Sequence, residues 1–186
     1  GGGPAGLMAA EVVSARGVKV DVYDSMPSVG RKFLMAGKSG LNITHSEPFE
    51  EFAARYGSRR PQIEPMLKAF GADQLREWVH SFGIETFVGT SGRVFPVGMK
   101  ASPLLRAWIQ RLTASGVTFH LRHKLTALLP GNSLRFLAPD GEVTVKAEAV
   151  VLALGGGSWS RLGSSGEWVD WLRQAGAEVE AFRPSN

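Results

Sequence analysis

The spacing of apolar and polar positions changes several times along the chain, and each change marks an element. Leu7 to Ala15 is apolar and alanine-rich, follows a cluster of glycines and is stopped by Gly17, which predicts a short buried helix. Val18 to Tyr23 reads as a strand that ends in an acid, Asp24. From Ser25 to His45 the periodicity is lost. Gly30, Gly37 and Gly40 alternate there with Arg31, Lys32 and Lys38, the composition of a long functional loop with one helical turn at Lys32 to Met35. Glu47 to Tyr56 is a short helix. Ile63, Met66, Leu67, Phe70, Leu75, Trp78 and Val79 then recur at helical spacing between Pro61 and Phe82, with Gly71 dividing the run into two pieces.

Ile84 to Val88 and Arg93 to Pro96 flank Gly89-Thr90-Ser91-Gly92 and predict a small hairpin. Ser102 offers an N-cap and Pro103 an N1 residue for a helix reaching Thr113, with Leu104, Leu105, Trp108, Ile109 and Leu112 on its buried side and Gly116 beyond its end. Val117 to Leu121 is the next strand, and Leu125 to Leu129 is expected to continue it after an irregularity. Pro139-Asp140-Gly141 joins Ser133 to Leu137 and Glu142 to Val145 into a second hairpin, an antiparallel layer beside the main sheet. Ala149 to Leu154 is a continuous apolar run, as expected of a central parallel strand covered on both faces. A last helix, Glu167 to Gln174, stops at Gly176, and Glu178 to Phe182 is expected to open another strand. Strands alternating with helices indicate an α/β fold with a central parallel sheet and a small antiparallel β-meander.

The chemistry sits at the glycines. Gly1, Gly3 and Gly6, with Pro4 and Ala5 between them, fit the G-x-G-x-x-G turn, in which bare backbone approaches a pyrophosphate and the next helix aims its first amides at the charge. Asp24 lies 18 residues after Gly6, near the separation at which an acid accepts hydrogen bonds from ribose hydroxyls. Glycine turn, helix, strand and terminal acid in that order favour a dinucleotide site over a bland turn. A buried strand is expected ahead of the turn, so the sequence reads as a fragment whose first strand is truncated. A second glycine-ended strand, Ala153-Leu154-Gly155-Gly156, places more bare backbone at the carboxyl edge of the sheet, where α/β folds bind ligands.

Composition narrows the classes. Of the 186 residues 44% are hydrophobic and 20% charged, ordinary for a globular protein with a sizeable core. There is no apolar run of membrane-spanning length and no signal-peptide pattern, so the cytoplasm is the expected compartment and no membrane is expected as a partner. Cysteine is absent, which excludes disulfides, thiolate nucleophiles and cysteine-ligated metals within this range. It also removes the dithiol that disulfide-reducing flavoenzymes place after the first acid. The net charge of +4 suits a phosphate-bearing cofactor or nucleic acid, but no basic stripe or reader motif accompanies it. The histidines show no metal-ligand spacing, so no metal is expected, and no nucleophile elbow, Walker loop or carboxylate pair nominates a catalytic residue.

Several segments together resemble one family. They are Gly1 to Ala10; Val29-Gly30-Arg31-Lys32-Phe33-Leu34 with Gly37 and Asn42-Ile43-Thr44-His45; Gly92-Arg93-Val94-Phe95-Pro96 with Lys100-Ala101; and Leu152 to Gly156 with Gly163-Ser164 and Gly166. Over almost its whole length the chain is similar to the bacterial NAD(P)/FAD-dependent oxidoreductase flavoproteins of the aminoacetone-oxidase-like, HI-type group. The departures are Leu41, where many relatives have Cys or Met, and Ser160, where many have Pro.

The resemblance implies a glutathione-reductase-like FAD-binding Rossmann fold, with residues 1–186 as part of the FAD domain and a substrate-covering domain and a C-terminal return outside it. It places the pyrophosphate at Gly1 to Gly6, the ribose at Asp24, the phosphates near Arg31 and Lys32, and the adenine at the backbone of Leu125. Ser25, Gly37, Asn42, Thr44 and Ala153 to Gly156 complete the implied cofactor set. On the residues alone, Arg31 and Lys32 are either a phosphate clamp or a solvated pair. Asn42 and Thr44 either bond a flavin edge or cap a turn; His45 is either part of the site or an ordinary loop histidine. Trp159, Trp168 and Trp171 either gate a cofactor or pack a core or subunit contact. The implied activity is hydride transfer from NAD(P)H through FAD to an organic substrate, for example one with an activated C=C bond. Two alternatives stand beside it: a flavoprotein acting on or bound to RNA, and a non-catalytic dinucleotide-binding module.

Overall fold

The computed structural model describes residues 1–183. In chain order its elements are α1 (Pro4–Ser14), β1 (Asp21–Asp24), α2 (Arg31–Ala36), β2 (Thr44–His45), α3 (Phe49–Ala54), α4 (Arg60–Ala69), α5 (Ala72–His80), β3 (Thr86–Val88), β4 (Arg93–Pro96), α6 (Ala101–Ala114), β5 (Thr118–Leu121), β6 (Lys124–Leu129), β7 (Ser133–Ala138), β8 (Gly141–Lys146) and α7 (Trp168–Gln174). Two compact units are present, one made of Gly1–Lys32 with Arg111–Asn186 and the other of Phe33–Gln110.

In the first unit β1 and β5 pair in parallel, from Asp21 opposite Thr118 to Asp24 opposite Leu121. Helix α1 starts on Pro4, whose fixed φ suits N1 and whose missing N–H costs nothing there. Its small residues let it pack closely, with Leu7 and Ala10 buried, and Glu11 pairs with Arg111 at 3.1 Å. Strands β6, β7 and β8 form the antiparallel layer, and Leu125, Leu134 and Phe136 make its core with Tyr23, Val150, Leu154 and Trp171 packed against them.

Three expectations are corrected in this unit. Lys124–Leu129 does not continue β5: Arg122 takes a left-handed φ of 56°, the chain leaves the parallel pair, and β6 joins β7 across a bulge between Leu125 and Ala127. The run Ala149 to Leu154 belongs to no ladder among the described residues. Its apolar pattern signals burial, yet a strand also needs a neighbour for its N–H and C=O groups; Val150 and Leu154 pack on the meander core and Ala153 on the glycine turn, while Val151 is 65% exposed. Glu178 to Phe182 is irregular as well. There the Val179 carbonyl accepts from Arg173 Nη2 and the Phe182 ring lies edge-on to Trp168, contacts that replace a ladder.

The second unit places α3, α4 and α5 with a three-stranded antiparallel sheet of order β2-β4-β3. Leu41, Val79, Ala101 and Leu104 form its core with Phe33, Ile43, Trp78, Phe82 and Ile84 around them, and Trp78 stands edge-on to the buried Trp108 at 4.7 Å. The break expected at Gly71 is present, its extended backbone donating to Gln74 Oε1 at 3.0 Å to start α5. Helix α6 begins at Ala101, so Ser102 lies inside the first turn instead of capping it. Ala101 is held there under Gly37, where an added Cβ would come within 2.6 Å of the Ala101 Cβ. The pairing of β2 with β4 was not legible in the sequence, because two residues carry no periodicity.

Truncating Trp108 to Ala removes the buried partner of Trp78, and about 3–5 kcal/mol of stability is expected to be lost. Denaturant titration checks this as a lower midpoint at unchanged slope. Hydrogen bonds from Lys68 and Arg60 hold the Glu64 carboxyl below its ordinary value of 4.5. A depressed carboxyl stabilises above that value and loses its contribution as pH falls through the folded-state pKa. Glu64→Gln should therefore lose less thermal stability on acidification than the parent, measured as melting temperature on either side of that value.

Candidate functional site

The first unit contains a cleft of about 870 Å³. Its polar end is built by three turns that converge. The first is Gly1 to Gly6. A Cβ at Gly6 would overlap the Gly1 carbonyl oxygen, and one at Gly2 would overlap the Val29 side chain, so glycine is required at Gly6 by close backbone approach and at Gly2 by side-chain packing. Gly3 is different: a Cβ there meets nothing within 4 Å. Gly3 is also the N-cap of α1, and no side chain caps the helix, so the amides of Ala5 and Gly6 are left for a ligand.

The second turn follows β1. Asp24 accepts from the Gly2 N–H through Oδ2 at 2.6 Å and from the Met26 N–H through Oδ1 at 2.7 Å. Gly30, at φ 67°, donates its N–H to the Gly2 carbonyl at 2.8 Å. The loop from Ser25 to Gly30 is thereby folded back onto the glycine turn, which delivers Arg31 and Lys32 to the cleft. Lys32 Nζ donates to Ser158 Oγ at 3.3 Å, and Arg31 Nη1 to Ser28 Oγ at 3.4 Å. Arg31 Nε is buried without a hydrogen-bond partner. A buried guanidinium donor left unpaired is costly, and an anion would satisfy it.

The third turn is the end of the apolar run. A Cβ at Gly6 would lie 3.4 Å from the Ala153 Cβ, and Trp168 Nε1 donates to the Gly155 carbonyl at 2.9 Å. At the cleft's apolar side Tyr23 lies between His120 and Phe136, stacked at 4.3 and 4.4 Å. Burial, with Asp21 nearby, pushes the Tyr23 phenol up, so it remains neutral there. The remainder of the cleft runs along Val18 to Val22 and Ala149 to Leu152, mostly apolar, with Lys19 and Asp21 among its lining residues.

Of the expected set, Gly1, Gly3, Pro4, Ala5, Gly6, Asp24, Ser25, Arg31, Lys32, Leu125, Ala153, Leu154 and Gly155 line this one cleft. Gly156 does not. Gly37, Asn42 and Thr44 belong to the second unit: Gly37 packs on Ala101, the Asn42 N–H bonds the Gly40 carbonyl, and Thr44 pairs with Val94. Trp168 and Trp171 line the cleft, whereas Trp159 is 53% exposed and does not. Ser164, buried beneath Gly155, lines it too; the signal for it was the Gly163-Ser164 pair. Among the described residues no three His, Asp or Glu side chains are grouped to hold a metal, and no helix is long and apolar enough to cross a membrane.

The HI0933-like protein Rossmann domain matches residues 1–182. The chain belongs to this family. As an HI0933-like domain it has the Rossmann-type α/β fold of FAD-binding proteins, a parallel pair with antiparallel layers beside it. It is 28% identical over 168 residues to the ribosomal RNA dihydrouridine synthase of Escherichia coli (strain K12), a match covering 89% of this chain and 40% of that protein. Among solved structures it is similar to Thermovibrio ammonificans THI4, with a TM-score of 0.60 and 17% identity over 96% of this chain and 61% of that one. CabE, an aromatic hydroxylase from angucycline biosynthesis, aligns at a TM-score of 0.43 and 19% identity over 78% of this chain and 28% of its own.

Two substitutions separate fold from ligand in this HI0933-like domain. Gly6→Ala should lower both the melting temperature of the cofactor-free protein and its flavin affinity, because the added methyl meets protein. Gly3→Ala should lower the melting temperature far less than Gly6→Ala, by no more than the poorer N-cap that alanine makes, and still weaken flavin binding, because its methyl enters open space beside the helix terminus. Thermal melts and a flavin titration on both variants check the contrast.

Proposed function

We propose that the chain is the cofactor-binding portion of an FAD-dependent oxidoreductase that uses NAD(P)H to reduce an activated carbon–carbon double bond. The observation that carries this reading is the convergence in one cleft of the uncapped α1 terminus and the unpaired buried Arg31 Nε, beside the bare backbone of Ala153 to Gly155. Those groups fit a pyrophosphate: amides and a helix dipole for its oxygens, a guanidinium fork and the Lys32 ammonium for its charge. Asp24 stands where a ribose would meet it, with its carboxylate oriented by two backbone amides. When bound, FAD supplies hydride transfer; the chain's own residues bind and orient it. The Ser25 to His45 segment contains no cysteine, which argues against a dithiol relay.

The similarity to the E. coli enzyme favours uridine in RNA as the acceptor. The net reaction would add a hydride and a proton across C5=C6 of the uracil ring while NAD(P)H is oxidised to NAD(P)⁺. The cytoplasm is the compartment this reading implies. The purified protein should be yellow, and NADH or NADPH should bleach its flavin bands under exclusion of oxygen. Adding ribosomal RNA should then restore the oxidised spectrum and leave dihydrouridine in the RNA. A colourless protein that binds NAD would overturn the flavin reading; a bleached flavin indifferent to RNA would overturn the RNA acceptor and keep the oxidoreductase.

A further inference from the structure

The sheet of the second unit has one face in the core and one face open. Val94 and Pro96 of β4 are fully buried, so Arg93 and Phe95, one residue out of phase, point the other way. Register extends this open face across the sheet: Phe87 lies opposite Phe95, and His45 opposite Arg93. The two phenylalanine rings stack at 5.8 Å with 29° between their planes, and Phe87 is 41% exposed.

Glycine leaves room beside one ring. A Cβ at Gly89 would stand 3.3 Å from the Phe95 ring, so backbone alone lies on that side; on the Gly40 side the Met99 side chain packs closer, and Phe95 is half-buried. The Arg93 guanidinium has no hydrogen bond or ion pair among the described residues. None of the three strands carries an acid. The neighbouring acid, Glu47, is held by two 2.6 Å bonds from Arg55. His45 places Nε2 at 3.0 Å from the Ser91 carbonyl and accepts the Glu47 N–H at Nδ1, an arrangement that fixes the ring beside Arg93.

We infer that this face is a platform for single-stranded RNA, with a base stacked on Phe87 and Phe95 and a phosphate on Arg93. The inference rests on the RNA reading above and deepens it by naming where the strand is held. Aromatic rings on an open sheet face, with a free guanidinium two residues along the strand, match how single strands are gripped: bases stack, phosphates meet cations. The separation along β4 is about 6.8 Å, within reach of one nucleotide. A second copy of the chain fits less well. Strands about 4.8 Å apart and rising about 3.4 Å per residue make a face of roughly 200 Å², against about 800 Å² per partner in a stable protein interface.

The test is fluorescence anisotropy with a short uridine-rich RNA oligonucleotide and the flavin-loaded protein. Phe87→Ala is expected to weaken binding about tenfold with the salt dependence unchanged, and Phe87→Tyr to restore it. Arg93→Ala is expected to weaken binding and to reduce the slope of log affinity against log salt by about 0.7, with Arg93→Lys retaining the slope. Melting temperatures equal to the parent's exclude a folding defect. RNA binding by the parent that survives both Phe87→Ala and Arg93→Ala overturns the platform and leaves the RNA reading standing. A change of oligomeric state in either variant assigns the face to a second copy and overturns it too. A parent that binds no RNA at any salt concentration overturns both.

Discussion

The carboxylate of Asp24 holds the nucleotide end of this protein together. Its two oxygens take one amide from the glycine turn and one from the loop after β1, at 2.6 and 2.7 Å. Charge-assisted bonds of that length are the strong ones, and here they tie the glycine turn, which has no side chains of its own to interlock, to the loop after β1. The Gly30 to Gly2 hydrogen bond and the Val29 side chain set against Gly2 depend on the same closure. Without it Arg31 would have no fixed position. Asp24 thus has a structural task in addition to any role toward a ribose.

The glycines of the site divide by mechanism. Gly6 and Gly2 make room for protein, Gly3 faces open space at the helix terminus, and Gly30 turns the chain through a φ that other residues resist. One short motif therefore sets glycines that packing requires beside one that packing does not. The same separation appears in the second unit. Gly37 yields to Ala101 and Gly40 to the Met99 side chain, both matters of packing, while Gly89 leaves one side of the Phe95 ring uncovered, a matter of exposure.

Much of this was legible in the sequence, and the reasons differ by element. Helices α1, α5 and α7 and the β7–β8 hairpin announced themselves through glycine stops, apolar spacing and a Pro-Asp-Gly turn, all local signals that the structure respects. Most of the glycine-ended segments did meet in one cleft, because each of those turns brings its own backbone geometry. What sequence could not supply was pairing. Ala149 to Leu154 has the composition of a buried strand, but ladder membership depends on a neighbour that no local pattern encodes, and β6 chose β7 over β5 through one left-handed residue, Arg122. Asn42 and Thr44 are site candidates by residue type; their backbones lie in the second unit, Thr44 in the β2–β4 pair and the Asn42 N–H on the Gly40 carbonyl. The open face of Phe87 and Phe95 was hidden for the same reason, since facing rings are a property of register.

The parallel pairing of β1 with β5 joins Asp21 to Thr118, residues 97 positions apart, with the whole of the second unit strung between them. During synthesis the nucleotide end cannot be completed when its glycine turn emerges; it must wait for the segment that carries β5. Closing so long a loop costs little more free energy than closing one half its length, about 0.6 kcal/mol, but contacts this distant in sequence slow the search. For that interval the unpaired edge of β1 and the uncapped terminus of α1 stand open, and the order of translation makes this nucleotide fold one of delayed assembly.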